Sequence, residues 1–581
     1  MIPLIDPRNG DIEDDLSSTK SRSLLAIAGS LLAEISFTKL LVAWLLLVAI
    51  PALLLGLAPL LASAWLAGMS QTLLLAYSGI GAALALALVA VIGWYGWRPL
   101  LRFVEQVFWS LNAIVVQPVY MLFRELLRHL IEMLGPRDLS AERRARLRAA
   151  SAALAGILLC AAALGIVAWV WPGTRWSAGF GELLTPQRLV LPALSNAVML
   201  LSGYFAIAAL VWGVGDASMD QPMDRAGFAD ASASQRQWRV VHLSDIHIVG
   251  ERYGFRIESG RAGPRGNGRL ARVLARLAAM HAEKPIDLVL VTGDITDAGR
   301  SAEWAEFFRL VLAHPPLLAR MLIMPGNHDV NVVDRANPAR LDLPTSPGRR
   351  LREMRALSAI AAVQGTRVHV VDPATARLGA TLDAYLAPHR EAIARFADTG
   401  ALSLSMRLAR LWAESFPLVL PPQHAEGLGT IMLNSTAQTH FSFTNALGLM
   451  PAEQVRALRG VVRQFPQARW IVALHHHLVE YPTRAKALSE RIGTALINGS
   501  WFARQLQVLG PRIVVMHGHR HIDWIGACGA VPIVSAPSPV MEALNRDPTG
   551  FYLHTLAAGP QGGLDLLPPQ HVTIDGSDGD D

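Results

Sequence analysis

The chain is short of charge and of cysteine. Only 17% of its 581 residues are Asp, Glu, Lys or Arg, whereas an ordinary soluble domain carries about 25%. Hydrophobic residues make up 52% and the mean hydropathy is +0.32. That balance excludes a disordered chain and points to a bilayer. Two cysteines, Cys160 and Cys528, stand in unrelated contexts, which excludes a disulfide framework and a Cys-x-x-Cys zinc site. A basic stretch running directly into a short apolar core and a cleavage site is also lacking, so no cleaved signal peptide is read. The net charge of +6 is weak evidence for nucleic acid, because many basic residues flank apolar runs, where they orient a chain in the membrane.

What is present in the N-terminal third is length without charge. After a polar segment, 1–39, no charged residue occurs from Leu40 to Trp97, nor from Ala149 to Thr174, nor from Leu189 to Gly215. A helix needs roughly 20 apolar residues to cross, so the first run reads as a hairpin broken near Gly68 to Gln71. The expectation is a transmembrane domain over 40–215 with four spans, at about 40–66, 73–97, 149–172 and 189–213. Residues 103–134 alternate apolar and polar residues at helical spacing and read as an interfacial helix. Nine arginines lie between spans two and three, while the next loop carries only Arg175 and Arg188. Basic loops stay inside, so both termini are expected to be cytoplasmic in a multi-pass protein of a bacterial-type inner or plasma membrane. The uncharged spans read as an anchor rather than an ion path, and Ser195 and Asn196 read as helix–helix hydrogen bonds.

A linker, 216–237, precedes an α/β pattern over 238–560. Five predicted strands there each end in residues able to hold a metal. They end at Asp245-Ile246-His247, Gly293-Asp294, Gly326-Asn327-His328-Asp329, His475-His476-His477 and Gly518-His519-Arg520-His521. Open α/β sheets place their sites at such C-terminal strand ends. Two divalent ions about 3.5 to 4 Å apart can clamp the attacking and leaving oxygens of a displacement at phosphorus. They repel each other unless an anionic ligand lies between them, which a carboxylate can supply and an imidazole cannot. Mixed imidazole, carboxylate and amide donors suit Mn, Fe, Zn or Co. Asp-x-His and His-x-His spacings put both side chains on one side of an extended chain.

These five blocks, present and in order, resemble the calcineurin-like metallophosphoesterase superfamily over about Val240 to Ser538. Leu433-Asn434-Ser435, Gly448-Leu449 and Glu453-Gln454 resemble its class III cyclic nucleotide phosphodiesterase branch. The resemblance implies a two-sheet α/β sandwich flanked by helices. It also implies that Asp245, His247 and His521 hold one metal, Asn327, His475 and His519 hold the other, and Asp294 bridges. His328 would then be the non-ligand histidine that stabilises or protonates the reacting oxygens, with His476 or His477 as alternatives to His475. Asp329 reads equally as an orienter of His328 or as a helix cap. His517 reads as structural, Asp297 and Asp523 as loop or supporting residues, and Arg520 as facing solvent or headgroups.

A long connection, 330–429, carries helical periodicity in Leu351 to Val363, Ala380 to Ala397 and Leu402 to Phe416, and reads as a lid-like insertion. Residues 561–581 read as a flexible tail. The expected function is a membrane-anchored, dinuclear metal-dependent phosphoesterase, most simply a phosphodiesterase. Its candidate substrates are cyclic nucleotides and nucleotide-linked or lipid-linked phosphodiesters and diphosphates. The other reading from the residues is a ligand-sensing or scaffold module on the same fold. The expected partners are the lipid bilayer and a phosphorylated small molecule or lipid headgroup; the oligomeric state is not legible.

Overall fold

Apolar runs in lipid can satisfy their backbone groups only within the segment, so they become helices. The computed structural model describes residues 5–6, 45, 49–75, 116–134, 140–183, 185–225, 227–230, 236–250, 267–334, 340, 342, 346–440, 442–482, 494, 496–541, 550–559 and 562–574. It falls into two units, one of residues 31–219 and one joining 1–30 to 220–581.

In the first unit the helices of several turns are α1 (Ile50–Leu75), α2 (Gln117–Leu134), α3 (Ala141–Val170) and α4 (Val190–Ala217). Among the described residues, three segments are long and apolar enough to cross a membrane: Ile50–Gly68, Glu142–Gly173 and Val190–Ala217. The span expected at 73–97 lies almost wholly outside the described residues. The break expected near Gly68 to Gln71 is absent, because α1 runs through it to Leu75. Helices α3 and α4 meet at Gly156 and Gly213, where a Cβ on either would stand 2.8 Å from the other's Cα, a small-residue contact that membrane helices use. As the sequence suggested, Asn196 is a helix connector: its Nδ2 donates to the carbonyls of Gly56, at 3.2 Å, and Arg175, and its Oδ1 accepts from Arg175 N–H.

Helix α2 differs from the expected interfacial helix. Its charged residues Arg124, Glu125 and Arg128 are buried, and Arg124 pairs with Glu125 and with Asp216 near the end of α4. The face bearing Val119, Leu122, Leu126 and Leu130 is the exposed one. Polar inside and apolar outside is the reverse of a helix resting its polar side on water.

The second unit is built on two mixed sheets. Its strands are β1 (Pro222–Asp224), β2 (Gln237–Leu243), β3 (Leu288–Val291), β4 (Met321–Ile323), β5 (His369–Asp372), β6 (Arg377–Thr381), β7 (Leu418–Leu420) and β8 (Leu428–Met432). They continue with β9 (Arg469–Ala473), β10 (Ile513–His517), β11 (Trp524–Cys528), β12 (Val531–Ser535), β13 (Gly550–Ala558), β14 (Leu564–Leu566) and β15 (Gln570–Thr573). The nine-stranded sheet runs β1-β11-β12-β10-β9-β8-β7-β5-β6, and the other runs β14-β13-β2-β3-β4, with β15 also on β13. Strands β2, β3 and β4 are parallel, as are β8, β9, β10 and β12. Both parallel blocks therefore send their C-terminal loops the same way within their sheet.

Three expected boundaries change. Residues 330–429 are body rather than cover: β5, β6 and β7 extend the larger sheet, and α5 (Gly348–Gln364) is buried at fourteen of its seventeen residues. The helix expected from Ala380 is preceded by strand β6, a short segment with no alternation strong enough to show in sequence. The linker contributes β1, paired with β11, and the expected tail contributes β14 and β15, which turn Leu564, Leu566 and Val572 inward. Residues 575–581 lie outside the described ones.

Candidate metal centre

The five loops after β2, β3, β4, β9 and β10 carry the candidate ligands, and their backbones are unusual. Asp245, His247, Asp294, His519 and His521 have φ of 55°, 46°, 49°, 80° and 52°. The extended geometry expected for Asp-x-His and His-x-His is therefore wrong: each of these residues sits in a left-handed turn. Asp and His tolerate that region better than most residues, and strain of this kind concentrates at functional sites. Two glycines make room for the loops to meet. A Cβ on Gly326 would lie 2.1 Å from Asp294 Oδ1, and one on Gly518 would lie 2.4 Å from Asp245 Oδ2.

All seven expected ligands converge. One group joins Asp245, His247 and His521, and another joins Asp294, His475 and His519; each group keeps its donor atoms within 4.8 Å of one another. His247 Nε2 faces His521 Nε2 at 3.2 Å, and His521 Nε2 lies 3.3 Å from Asp245 Oδ1. His475 Nε2 stands 3.0 Å from Asn327 Oδ1, 3.1 Å from His519 Nδ1 and 3.1 Å from Asp294 Oδ2. The same Asp294 oxygen is 3.9 Å from His247 Nε2, so it reaches towards both groups. Ligand bonds of about 2.1 Å put neighbouring donors about 3.0 to 3.4 Å apart in octahedral or tetrahedral shells; the spacings within each group fit, and the one between Asp294 and His247 is longer. Six of the seven ligands are buried; only His521 is half-buried.

Hydrogen bonds fix which imidazole nitrogen faces the centre. His475 Nδ1 meets the Thr292 carbonyl at 2.8 Å, leaving Nε2 to face the other donors. His519 does the reverse, with Nε2 on the Thr494 carbonyl at 2.9 Å and Nδ1 inward. His328 Nδ1 donates to the Asp297 carbonyl at 2.8 Å, and its ring stands edge-on to His247, with centroids 4.6 Å apart. Such outer partners hold ring and tautomer together.

Asp297 is a supporting loop residue, as its sequence position suggested. Besides holding His328 through its carbonyl, it places a carboxylate oxygen 3.4 Å from His247 Nδ1. The signal was its place three residues after Asp294, in Gly-Asp-x-x-Asp. Asp329 caps the short helix Asn327–Val330, accepting from Gly326 N–H at 2.8 Å, and ties it to the neighbouring loop by accepting from Thr296 N–H and hydroxyl at 2.8 and 2.6 Å. His476 and His477 turn to other partners, Ser435 at 2.9 Å and Glu480 at 3.2 Å. Arg520 does not face headgroups; it pairs with Glu480 at 3.2 Å and lies over the Tyr481 ring. Asp523 accepts from the Tyr552 hydroxyl, away from the centre.

Charge reinforces the geometry. Burial would raise the Asp294 carboxyl, but His475 and His328 outweigh it and hold the group well below the usual carboxylate range. Burial lowers His475 while Asp294 and Asp245 hold it up at about 9. Burial, then the neighbouring Asp294, raises Asp329. His517, next to the ligands but not among them, is pushed down to about 3 by burial, in keeping with a structural role.

Residues 239–382 match the family model of calcineurin-like phosphoesterases. That stretch holds Asp245, His247, Asp294, Asn327 and His328, and the three histidines 475, 519 and 521 lie beyond it. Solved structures similar to this chain include a Staphylococcus aureus protein assigned as a 5'-nucleotidase, in complex with alpha-ketoglutarate, at 14% identity and TM-score 0.31. That match covers 59% of this chain and 55% of the other, so the chain spans about half its length. A dimetal phosphatase from Danio rerio is 13% identical over 58% of this chain and 99% of its own, with TM-score 0.31. PhoD is 12% identical over 61% and 74%, with TM-score 0.33. No curated protein sequence matches the chain.

Proposed function

We propose that the C-terminal unit is a dinuclear metal-dependent phosphoesterase acting on a phosphodiester or pyrophosphate, held at a membrane by the N-terminal helices. The observation that carries this reading is the convergence of Asp245, His247 and His521 in one donor group and Asp294, His475 and His519 in another, with Asn327 Oδ1 3.0 Å from His475 Nε2 and an Asp294 oxygen 3.9 Å from His247 Nε2. Asp245, His247 and His521 would hold one ion, Asn327, His475 and His519 the other, and Asp294 both. Bound there, two divalent ions supply Lewis acidity at a phosphoryl oxygen and activation of water. Two carboxylates and neutral side chains against two such ions leave a net positive centre, which suits an anionic ester. His328 keeps its Nδ1 on the Asp297 carbonyl, so its Nε2 is the nitrogen able to donate to a phosphoryl or leaving oxygen.

The membrane reading gains support from residue 5. Ile5 N–H donates to Ser358 Oγ at 3.3 Å, within the same unit as the metal centre. Chain before the first membrane helix and chain after the last then lie on one side, and the number of crossings is even. Among the described residues three segments are long and apolar enough to cross, and an even count calls for a further one, for which the uncharged run at 73–97 qualifies by composition. The arginine-rich segment makes the shared side cytoplasmic.

The test is hydrolysis of bis-p-nitrophenyl phosphate and of p-nitrophenyl phosphate by the full chain with added Mn2+. The expected result is turnover that chelation abolishes and that is faster on the diester. Folded, Mn2+-loaded protein inert towards every phosphate ester would favour the scaffold reading instead. Reporters fused at the two termini should land on the same side, and opposite sides would overturn the four-span topology.

A further inference from the structure

We infer that Arg352 and Arg355 of α5 are positioning residues that hold the metal-bearing turns after β3 and β4 in place against the body of the domain. The inference rests on the dinuclear reading above. A helix buried nearly all round is ordinarily apolar all round, yet α5 carries Arg349, Arg352 and Arg355 at intervals of three, all of them buried. Each guanidinium reaches a loop backbone. Arg355 Nη1 donates to the Gly299 carbonyl, five residues after Asp294. Arg352 Nε donates to the Val330 carbonyl at 3.0 Å, two residues after His328, and its Nη2 pairs with Asp342. Arg349 Nη1 donates to Asn331 Oδ1 at 2.6 Å and to the Thr439 carbonyl at 3.2 Å. At the other end of the helix, Gln364 takes both backbone groups of Ile323, the last residue of β4, at 2.7 and 2.9 Å.

The turns need such anchoring. Asp294 holds a φ of 49°, and a non-glycine residue persists in that conformation only where the surroundings over-determine it. Asp329 ties the Asp294 turn to the Asn327 turn, but a tie between two loops fixes neither against the body. The guanidinium donors of α5 supply that fixed point, and Arg352 also packs its Cδ within 2.9 Å of where a Gly299 Cβ would stand. The segment 330–429 thereby acquires a role its sequence did not disclose: it is the bed on which two of the five ligand loops are set.

The experiment measures Mn2+ binding by calorimetry with the full chain in detergent, comparing the parent, Arg355→Met, Arg355→Lys and an exposed control, Arg410→Met. Residues that support metal ligands typically cost 10- to 100-fold in affinity when changed, so Arg355→Met is expected to bind Mn2+ roughly 10-fold or more weakly. The lysine variant, which can still donate to Gly299, should recover part of that, and the control should match the parent. A merely structural arginine would lower the unfolding midpoint while leaving the affinity of the folded protein within about twofold of the parent, and that result overturns the inference. Should Arg355→Met not fold, Arg355→Lys decides alone: weakened binding upholds the inference and parental binding overturns it. A parent that binds no Mn2+ would sink the dinuclear reading itself, which is a different outcome from a variant that binds as well as its parent.

Discussion

Asp294→Asn isolates the bridging charge, because the amide keeps the size of the side chain and an oxygen to accept His328 N–H, now bonded at 2.8 Å to Asp294 Oδ1. Two divalent ions about 3.5 Å apart repel by about 19 kcal/mol at an effective dielectric constant of about 20. A carboxylate about 2.1 Å from each attracts them by about 16 kcal/mol apiece, so the bridge reverses the sign of the pair energy. The structure puts one Asp294 oxygen 3.1 Å from His475 Nε2 and 3.9 Å from His247 Nε2, which is where such a bridge has to stand. Without it, remaining ligands and water recover much of the loss, but a residue of only about 4 kcal/mol already lowers affinity about 1,000-fold. Asp294→Asn is therefore expected to hold at most one Mn2+ per chain after desalting, read by elemental analysis, and to lose nearly all turnover. Two ions per chain at parental affinity would refute the bridging role.

His328→Ala should keep its metals and lose about 100-fold or more in turnover, and loss of metal would make His328 a ligand instead. Gly326→Ala should release metal as well as activity, because its Cβ would occupy the Asp294 carboxylate position at 2.1 Å; an active, fully loaded variant would contradict that packing. His554, buried in β13, is pushed down by burial to about 4 from 6.5. The unfolded chain therefore binds its proton first, and stability falls as pH drops from about 6.5 towards 4. At pH 5 the loss is about 2 kcal/mol, so His554→Gln should flatten the urea midpoint between pH 7 and pH 5, and an unchanged pH dependence would refute the assignment.

The parts of the molecule legible in sequence are those where one residue type answers to one physical demand. Uncharged runs at 149–174 and 189–215 had no option but long helices, and α3 and α4 cover them. The five strand ends were visible because β2, β3, β4, β9 and β10 are apolar runs closed by His, Asp or Asn. What stayed hidden was held by contacts between distant residues. Nothing local marks Arg377–Thr381 or Leu564–Leu566 as strands, since β6 and β14 exist by pairing with β5 and β13. Arg124 read as part of a watered face because its partner Asp216 lies some ninety residues on. Arg520 read as exposed for the same reason, its partner Glu480 being forty residues back.

The left-handed turns give the site its logic. Each non-glycine residue there costs about 1 to 2 kcal/mol, so Asp245, His247, Asp294, His519 and His521 together carry about 5 kcal/mol or more. That is comparable with the whole stability of a small domain, and extended geometry at the same positions would have avoided it. Extended turns would leave both ligands of each Asp-x-His or His-x-His pair on one face of a straight chain, whereas a left-handed residue folds the chain back towards the neighbouring turn. The cost is offset where the turns are tied: Asp245 accepts His519 N–H at 2.8 Å, Asp294 accepts His328 N–H, and Ser538 donates to the Asp245 carbonyl at 2.7 Å. Two of these three ties use a carboxylate oxygen of a proposed ligand, so the groups that would hold metal also hold the backbone that presents them. Ligand geometry and loop geometry are then one structure, and a substitution that spares the donors but loosens the turn disables the site as surely as removing a ligand.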